Sequence, residues 1–332
     1  MKVLIAGGVF RLPPDVRKMR QPAPEMVLAD GLRKRGVEVA TVPLEDLSAV
    51  ARSSDSDIVH VHHLSKAAVA SALSPVSAPM VFTAHATARP VRRLEVLGEK
   101  VVMSRMRAGV CLSEGERLQR VHARPELDGR LVVIPNGIDL PDAEPRLREL
   151  APDDVLRGLF VGQLIAVKQI DRIIAAMRDE PRLHVELAYH NDHLLAGVRD
   201  SAAQSGVLHR MTFLGQLRGP ELFDAYRRSH VLLLPSRSEA LPSVVTEGLS
   251  TGLPVIASNV GGIPSQVKDA GILVSPDGLD EVSRVIPQLM EQYSDLAARA
   301  SRRAIEVAAE YSVSAMIDRH LALYHRILEG TQ

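Results

Sequence analysis

The feature that most constrains this chain is one pattern stated twice. Short, nearly continuous apolar runs rich in β-branched residues are each followed by a longer stretch with helical spacing. In the first half the runs are 2–6 (KVLIA), 37–42 (VEVATV), 57–61 (DIVHV), 80–84 (MVFTA), 109–113 (GVCLS) and 131–135 (LVVIP). Helical stretches at 25–35, 65–73, 92–107 and 114–122 lie between them. Strands apolar on both faces and separated by amphipathic helices predict a parallel sheet covered on both sides. The pattern restarts with runs at 156–162, 184–188, 211–215, 231–235, 254–258 and 271–275. At 332 residues the chain also exceeds the usual size of a single core. The expectation is α/β, with two Rossmann-like doubly wound domains over 1–145 and 153–312 and a loop-rich linker at 139–154. The carboxyl end is helical from about 277, breaks near 310–314 and finishes in a helix over 313–330.

Open parallel sheets bind ligands beyond the carboxyl ends of their strands. Gly7, Gly8, His62, His63, His85, Ser113, Glu114, Asn136 and Gly137 all follow strands of the first half. Gly162, Gln163, Leu214, Gly215 and the segment 235–239 follow strands of the second. Two such edges facing one another would make a cleft between domains, where ligand sites concentrate.

The segment 236–258, SRSEALPSVVTEGLSTGLPVIAS, holds two carboxylates, Glu239 and Glu247. As residue types they suit either a general acid–base pair or clamps for a polyhydroxylated ligand. Pro242 sits near a helix start, where its missing N–H costs nothing, and Gly252 suits the helix end. Glu239 therefore falls on the loop before the helix and Glu247 within its turns. That loop and first turn expose backbone N–H groups suited to a phosphate or a hydroxyl-rich ring.

The longer stretch LLLPSRSEALPSVVTEGLSTGLPVIASNVGGIPSQV resembles the donor-site signature of the retaining GT-B glycosyltransferases of family 4. A Pro-Ser, a Glu, seven intervening residues and a second Glu match, followed by a strand and Gly261-Gly262. FVGQLIAVKQIDRIIAAM, DIVHVHH, VFTAHA, VCLSEGERL and VVIPNGIDL match other family segments in order, so the likeness spans most of the chain. The resemblance implies a GT-B fold of two Rossmann-like domains facing across a cleft, the last helix crossing back to the first domain. It implies transfer of a sugar, with retention, from a nucleotide-diphosphate sugar to a small-molecule, glycan or lipid-linked acceptor that it does not name. UDP is the expected nucleotide, and neither cofactor nor metal is expected. By the same resemblance, Glu239 holds donor-sugar hydroxyls, aided by backbone N–H groups of Ala240, Leu241, Pro242, Ser243 and Val244 as a segment. Proline, having no N–H, serves there only to shape the turn. Glu247 takes the ribose, Lys168 the diphosphate, and the Gln216-Leu217 segment reads the base. His85 points at the sugar near the reacting carbon. The catalytic set is thus His85, Glu239 and Lys168.

Three departures from the family pattern stand out. Gln163 occupies the position of an arginine that the family pairs with the lysine, and a neutral amide brings no charge. Arg11, Arg17, Lys18 and Arg20 are the alternative cations. The loop before the first long helix reads RQPAPEMV without the usual Gly-Gly, leaving Gly7 and Gly8 as the nearest equivalents. LAYHND, after the second strand of the carboxyl half, also lacks the usual glycines. These departures leave two other readings: a silent GT-B scaffold that binds sugar nucleotides or activates a partner, and a GT-B nucleotide-sugar epimerase.

Zero formal net charge gives no electrostatic case for nucleic acid. The single cysteine, Cys111, fits a reducing compartment, and the short apolar start is no signal peptide, so the expected location is cytoplasmic. His60, His62 and His63 read as core or cleft-lining residues in preference to metal ligands, since no acidic or cysteine partner is near in sequence. Asp55 and Asp57 precede their strand and read as turn chemistry. The arginines and lysine at 89, 92, 93, 100, 105 and 107 read as a solvated helix face in preference to a membrane contact. No P-loop and no nucleophile elbow occurs.

Overall fold

The computed structural model describes residues 1–18, 23–63, 69, 77–83, 93–140 and 145–330. The chain divides into two compact units, Met1–Asp139 with Glu310–Gln332, and Leu140–Ala309. The first unit holds β1 (Lys2–Ala6), β2 (Glu38–Val42), β3 (Ile58–His62), β4 (Met80–Thr83), β5 (Ala108–Cys111) and β6 (Leu131–Val133). They form one parallel sheet in the order β2-β1-β3-β4-β5-β6. The second holds β7 (Leu156–Val161), β8 (Leu183–Ala188), β9 (Met211–Gly215), β10 (Val231–Leu234), β11 (Val255–Ser258) and β12 (Gly271–Val274). These are parallel in the order β12-β11-β10-β7-β8-β9.

Both sheets are apolar on both faces, as the continuous runs predict. Along β1, Leu4 and Ala6 join Val59, Val61, Phe82, Cys111 and Leu131 on one side. Val3 and Ile5 join Ile58, Val81 and Val110 on the other. Each sheet is also doubly wound. In the second, β7 lies between β8 and β10, so the chain leaves β7 toward one edge and β10 toward the other. The connections after β7 and β10 therefore diverge, and a divergence of this kind opens a crevice at the strand ends.

Two strands end earlier than their apolar runs because proline has no ladder donor: β6 stops before Pro135 and β10 at Pro235. Strand β5 ends at Cys111 because Ser113 caps the helix Glu114–Ala123, accepting from the Glu116 N–H at 3.2 Å. Glu116 returns to the Leu112 N–H at 2.8 Å. The helical stretch expected at 65–73 lies outside the described residues except for Val69. The carboxyl-terminal break is real: Ser312 separates the helices Tyr293–Tyr311 and Val313–Leu328, and its side chain caps the second. Helix Val313–Leu328 packs on helix Pro24–Lys34, with Arg35 donating to Asp318 and to Ser314 (2.8 Å).

The boundary between the units, Asp139 to Leu140, falls at the start of the stretch read as a linker, whose later part is anchored. Arg148, within it, is buried in the second unit and donates to the carbonyls of Ser229 (2.9 Å), Thr251 (2.8 Å) and Tyr226 (3.0 Å). Burial among neutral acceptors lowers the guanidinium pKa to about 10. Loop composition conceals such an anchor, since one arginine in a polar stretch reads as solvated.

Candidate active site

The second unit brings Lys168 and Glu239 together across the divergence between β7 and β10. After β7 the chain turns through a 3-10 segment, Ala166–Lys168, and enters the helix Ile170–Asp179 through Gln169. Gln169 is left-handed at φ +50°, a conformation costly for a side chain with a Cβ. Its buried amide holds it there by donating to the carbonyls of Pro235 (2.7 Å) and Pro276 (3.1 Å). The Arg237 N–H donates to the Val167 carbonyl at 2.8 Å, and buried Arg172 donates to Ser275 at 3.0 Å and Gly278 at 2.5 Å. The loops after β7, β10 and β12 are thus fixed to one another. In that frame Lys168 Nζ lies 2.5 Å from Glu239 Oε1, with the side chains 16% and 11% exposed.

A second backbone contact shapes the Glu239 loop. Gly261 is at φ +56°, and a Cβ there would strike the carbonyl oxygens of Glu239 and Ala240. The adjacent Gly262 N–H donates to the Ala240 carbonyl at 2.6 Å. Gly261 is required because backbone passes against backbone there at a positive φ.

Glu247 lies in the helix Ser243–Ser250, preceded by Pro242 with no side-chain cap at its amino end. The Tyr226 hydroxyl donates to Glu247 Oε2 at 2.8 Å. Burial raises the Glu247 pKa, and hydrogen bonds from Tyr226 and Ser243 pull it partly back. Burial, then the Glu247 charge, push the Tyr226 phenol well above its ordinary value. Buried Gln266 donates to the Pro242 carbonyl (3.0 Å) and Thr246 Oγ1 (2.7 Å), fastening the helix start. Ala240, Leu241 and Val244 are partly buried, Pro242 is buried and Ser243 is exposed. Gln216 and Leu217 follow β9, where the Gln216 amide oxygen accepts from Arg218 at 2.9 Å and 3.2 Å. Gln163 Nε2 lies 3.1 Å from His190 Nε2.

In the first unit, β1 ends at Ala6, and Gly8 opens the 3-10 turn Gly8–Arg11. A Cβ on Gly7 would meet the side chain of Glu25, a carboxylate only 1% exposed at the start of helix Pro24–Lys34. His63 is left-handed at φ +69°, with Nε2 3.7 Å from Glu25 Oε1. Arg17 lies over the Phe10 ring at 5.9 Å, and Lys18 closes the helix Pro14–Lys18. His85 and Arg20 lie outside the described residues. His60 uses both ring nitrogens in the core, with Tyr324 Oη (2.6 Å) and Thr83 Oγ1 (2.7 Å). Burial pushes the Cys111 thiol up to about 12, which suits a packing residue. Asp57 accepts from the Lys2 N–H at 2.7 Å and Asp55 pairs with its ammonium at 2.5 Å, strand-start chemistry as read.

Sequence reasoning missed Tyr226, Gln169, Arg172, Gln266, Glu25 and His190. Most lie inside segments quoted above, but each gains its role from a partner in another loop or strand, which the segments themselves do not show.

Residues 146–307 match the family model described as glycosyl transferases group 1, and residues 40–141 match glycosyltransferase family 4. The chain belongs to the family 4 glycosyltransferases. Within that family it is 28% identical over 296 residues to a D-inositol 3-phosphate glycosyltransferase of Mycolicibacterium smegmatis, covering 82% of this chain and 68% of that protein. Sucrose-phosphate synthase from Thermosynechococcus elongatus is similar in structure, with a TM-score of 0.74 at 17% identity over 99% of this chain and 100% of the other. Anabaena Alr3699/HepE, solved in complex with UDP, gives 0.73 at 18% identity over 98% and 100%. Together with the two doubly wound sheets, these likenesses make the fold GT-B. Among the described residues no helix is long and apolar enough to cross a membrane.

Proposed function

We propose that this glycosyltransferase moves a sugar, with retention and without a metal, from a nucleotide-diphosphate sugar to an acceptor hydroxyl. The observation that carries the reading is the Lys168–Glu239 pair at 2.5 Å, held by three mutually fastened loops beside the helix that carries Glu247. UDP is the favoured nucleotide, supported by the UDP complex of Anabaena HepE. The Gln216-Leu217 segment reads the base.

Transfer breaks the bond from the anomeric carbon to the diphosphate oxygen, which keeps the electron pair. A new bond forms to the acceptor oxygen, whose proton leaves with the nucleoside diphosphate. Negative charge grows on the leaving group as the sugar becomes oxocarbenium-like, so a cation fixed there favours the transition state. Lys168 is that cation. Its present partner, Glu239, is released when the diphosphate takes the ammonium, and then accepts from sugar hydroxyls. Glu247, oriented by Tyr226, accepts from the ribose, and His85 is the further catalytic residue that the family resemblance implies.

The test is transfer from a panel of nucleotide sugars to a panel of acceptors by wild type, Lys168→Ala and Glu239→Ala. Loss of turnover in both variants is expected. Undiminished turnover in both removes the donor-site assignment, and nucleotide-sugar binding without transfer by the wild type favours a silent scaffold.

A further inference from the structure

Two of the departures from the family pattern meet in space. Gln163 follows β7 and His190 follows β8, neighbouring strands paired from Leu156–Leu183 through Val161–Ala188. Gln163 Nε2 and His190 Nε2 are 3.1 Å apart. The Lys168 side chain passes close by: its Cε lies 3.7 Å from where a Cβ on Gly162 would stand, one residue before Gln163. The Lys168 side chain thus runs against the backbone of the residue next to Gln163, at the same strand end.

We infer that His190 is a donor-site residue whose imidazolium form, held by Gln163, supplies the second positive charge at the diphosphate. This rests on the donor site proposed above. The chemistry of the amide explains the pairing. With its nitrogen toward the ring, Gln163 donates to a neutral Nε2; turned over, its oxygen accepts from the N–H of the imidazolium. An arginine at 163 would only donate, and would repel the charged ring. Gln163 is thus compatible with both states of His190. Among the described residues His190 Nδ1 makes no hydrogen bond, which leaves it for a phosphate oxygen. The ring is exposed at the sheet edge, so a ligand reaches it without displacing the core.

The charged groups on the flanking elements are Lys168 after β7, Asp192 and His193 on the loop of His190 itself, and Arg218 after β9. Arg199, on the helix Leu195–Gln204, lies over the Phe213 ring at 4.1 Å, and Arg218 is engaged by Gln216. A bound diphosphate favours the charged ring. Affinity is then greatest at acid pH, where the ring is charged, and falls as rising pH leaves it neutral. An arginine in this place would show no such dependence.

The experiment is calorimetric titration with UDP-glucose, GDP-mannose and ADP-glucose from about pH 5.5 to about pH 8, the range in which histidine changes charge. Nucleotide sugars are used because their diphosphate, esterified at both ends, keeps a constant charge there. For the sugar nucleotide that binds, the wild-type Kd is expected to rise about tenfold across the range, the loss of one charge-assisted contact. His190→Gln is expected to bind at the weaker level throughout with a flat profile. Gln163→Arg is expected to bind more tightly than wild type at the alkaline end, also with little pH dependence. A flat wild-type profile, or the same slope in His190→Gln, overturns the role of His190. Lys168→Ala separates the two readings. If it loses binding while wild type shows no slope, His190 alone is misassigned; if it binds like wild type, the donor site fails and the inference with it.

Discussion

Lys168 Nζ and Glu239 Oε1 stand 2.5 Å apart between loops that leave β7 and β10 in opposite directions. Neither residue is near the other in sequence, and both side chains are largely withdrawn from water. Each is therefore the other's main source of compensation. The two roles that the resemblance separates, one for phosphate and one for sugar, fall on the two members of a single ion pair.

Removing one member strands the other. Lys168→Met is expected to lower stability by about 1–3 kcal/mol, less than for a fully buried pair because some water reaches it. Adding Glu239→Gln should restore most of that loss, as read by urea denaturation in a double-mutant cycle. Turnover should fall by about a hundredfold or more in Lys168→Met and should not return in the double variant.

Glu247 carries a pH signature. Burial raises its folded pKa above the unfolded value, so the folded chain holds this proton more tightly. The resulting stabilisation is full below the unfolded pKa and is lost as pH rises through the raised folded one. Glu247→Gln is expected to flatten that part of the stability profile and to be more stable than wild type at neutral pH. Its donor KM should rise about tenfold, the cost of a carboxylate–hydroxyl contact. Tyr226→Phe should move the Glu247 titration further upward, as followed by carboxyl NMR.

Gly261→Ala tests the close backbone passage. The new Cβ would meet the Glu239 and Ala240 carbonyls at a positive φ. A loss of about 2–4 kcal/mol is expected in thermal melts, from left-handed strain plus displacement of the loop. Donor affinity should fall more in this variant than in Gly206→Ala, where φ is +72° but nothing lies near the Cβ.

His320 sits buried in helix Val313–Leu328, its Nδ1 2.8 Å from the Met316 carbonyl oxygen, and burial lowers its pKa to about 4. The unfolded chain binds this proton first, at about pH 6.5. Stability from the neutral ring is thus complete above that pH and declines toward about pH 4, by about 3 kcal/mol at most. His320→Gln should remove this slope from acid melts of the protein.

The sheets were legible because burial on both faces writes an apolar run that no helix spacing mimics, and the strand ends moved by more than a single residue only where Pro135 or Ser113 imposed local chemistry. Glu239 and Glu247 were legible through the spacing of a loop and a helix. Lys168 was legible too, though not its pairing with Glu239, and the partner of Glu247 was not. Tyr226 reads as an ordinary aromatic of an amphipathic helix, and nothing marks it until β7, β10 and two helices set its hydroxyl against Glu247. Arg148 reads as solvated polar chain until three carbonyls close around it. Gln163 and the YHND loop read as two separate losses, and only the pairing of β7 with β8 makes them one contact.

The unit boundaries have a consequence for synthesis. The second unit, Leu140–Ala309, is an insertion within the first, whose last segment is Glu310–Gln332. Ile317, Leu323 and Tyr324 of that segment belong to the same core as Val3, Ile5 and Ile58 at the start of the chain. A ribosome therefore releases the guest complete while its host still lacks part of its hydrophobic floor. Chains usually fold their amino-terminal domain first as they emerge. Here that order is altered: Leu140–Ala309 is synthesised whole before the segment that completes the core of the first unit.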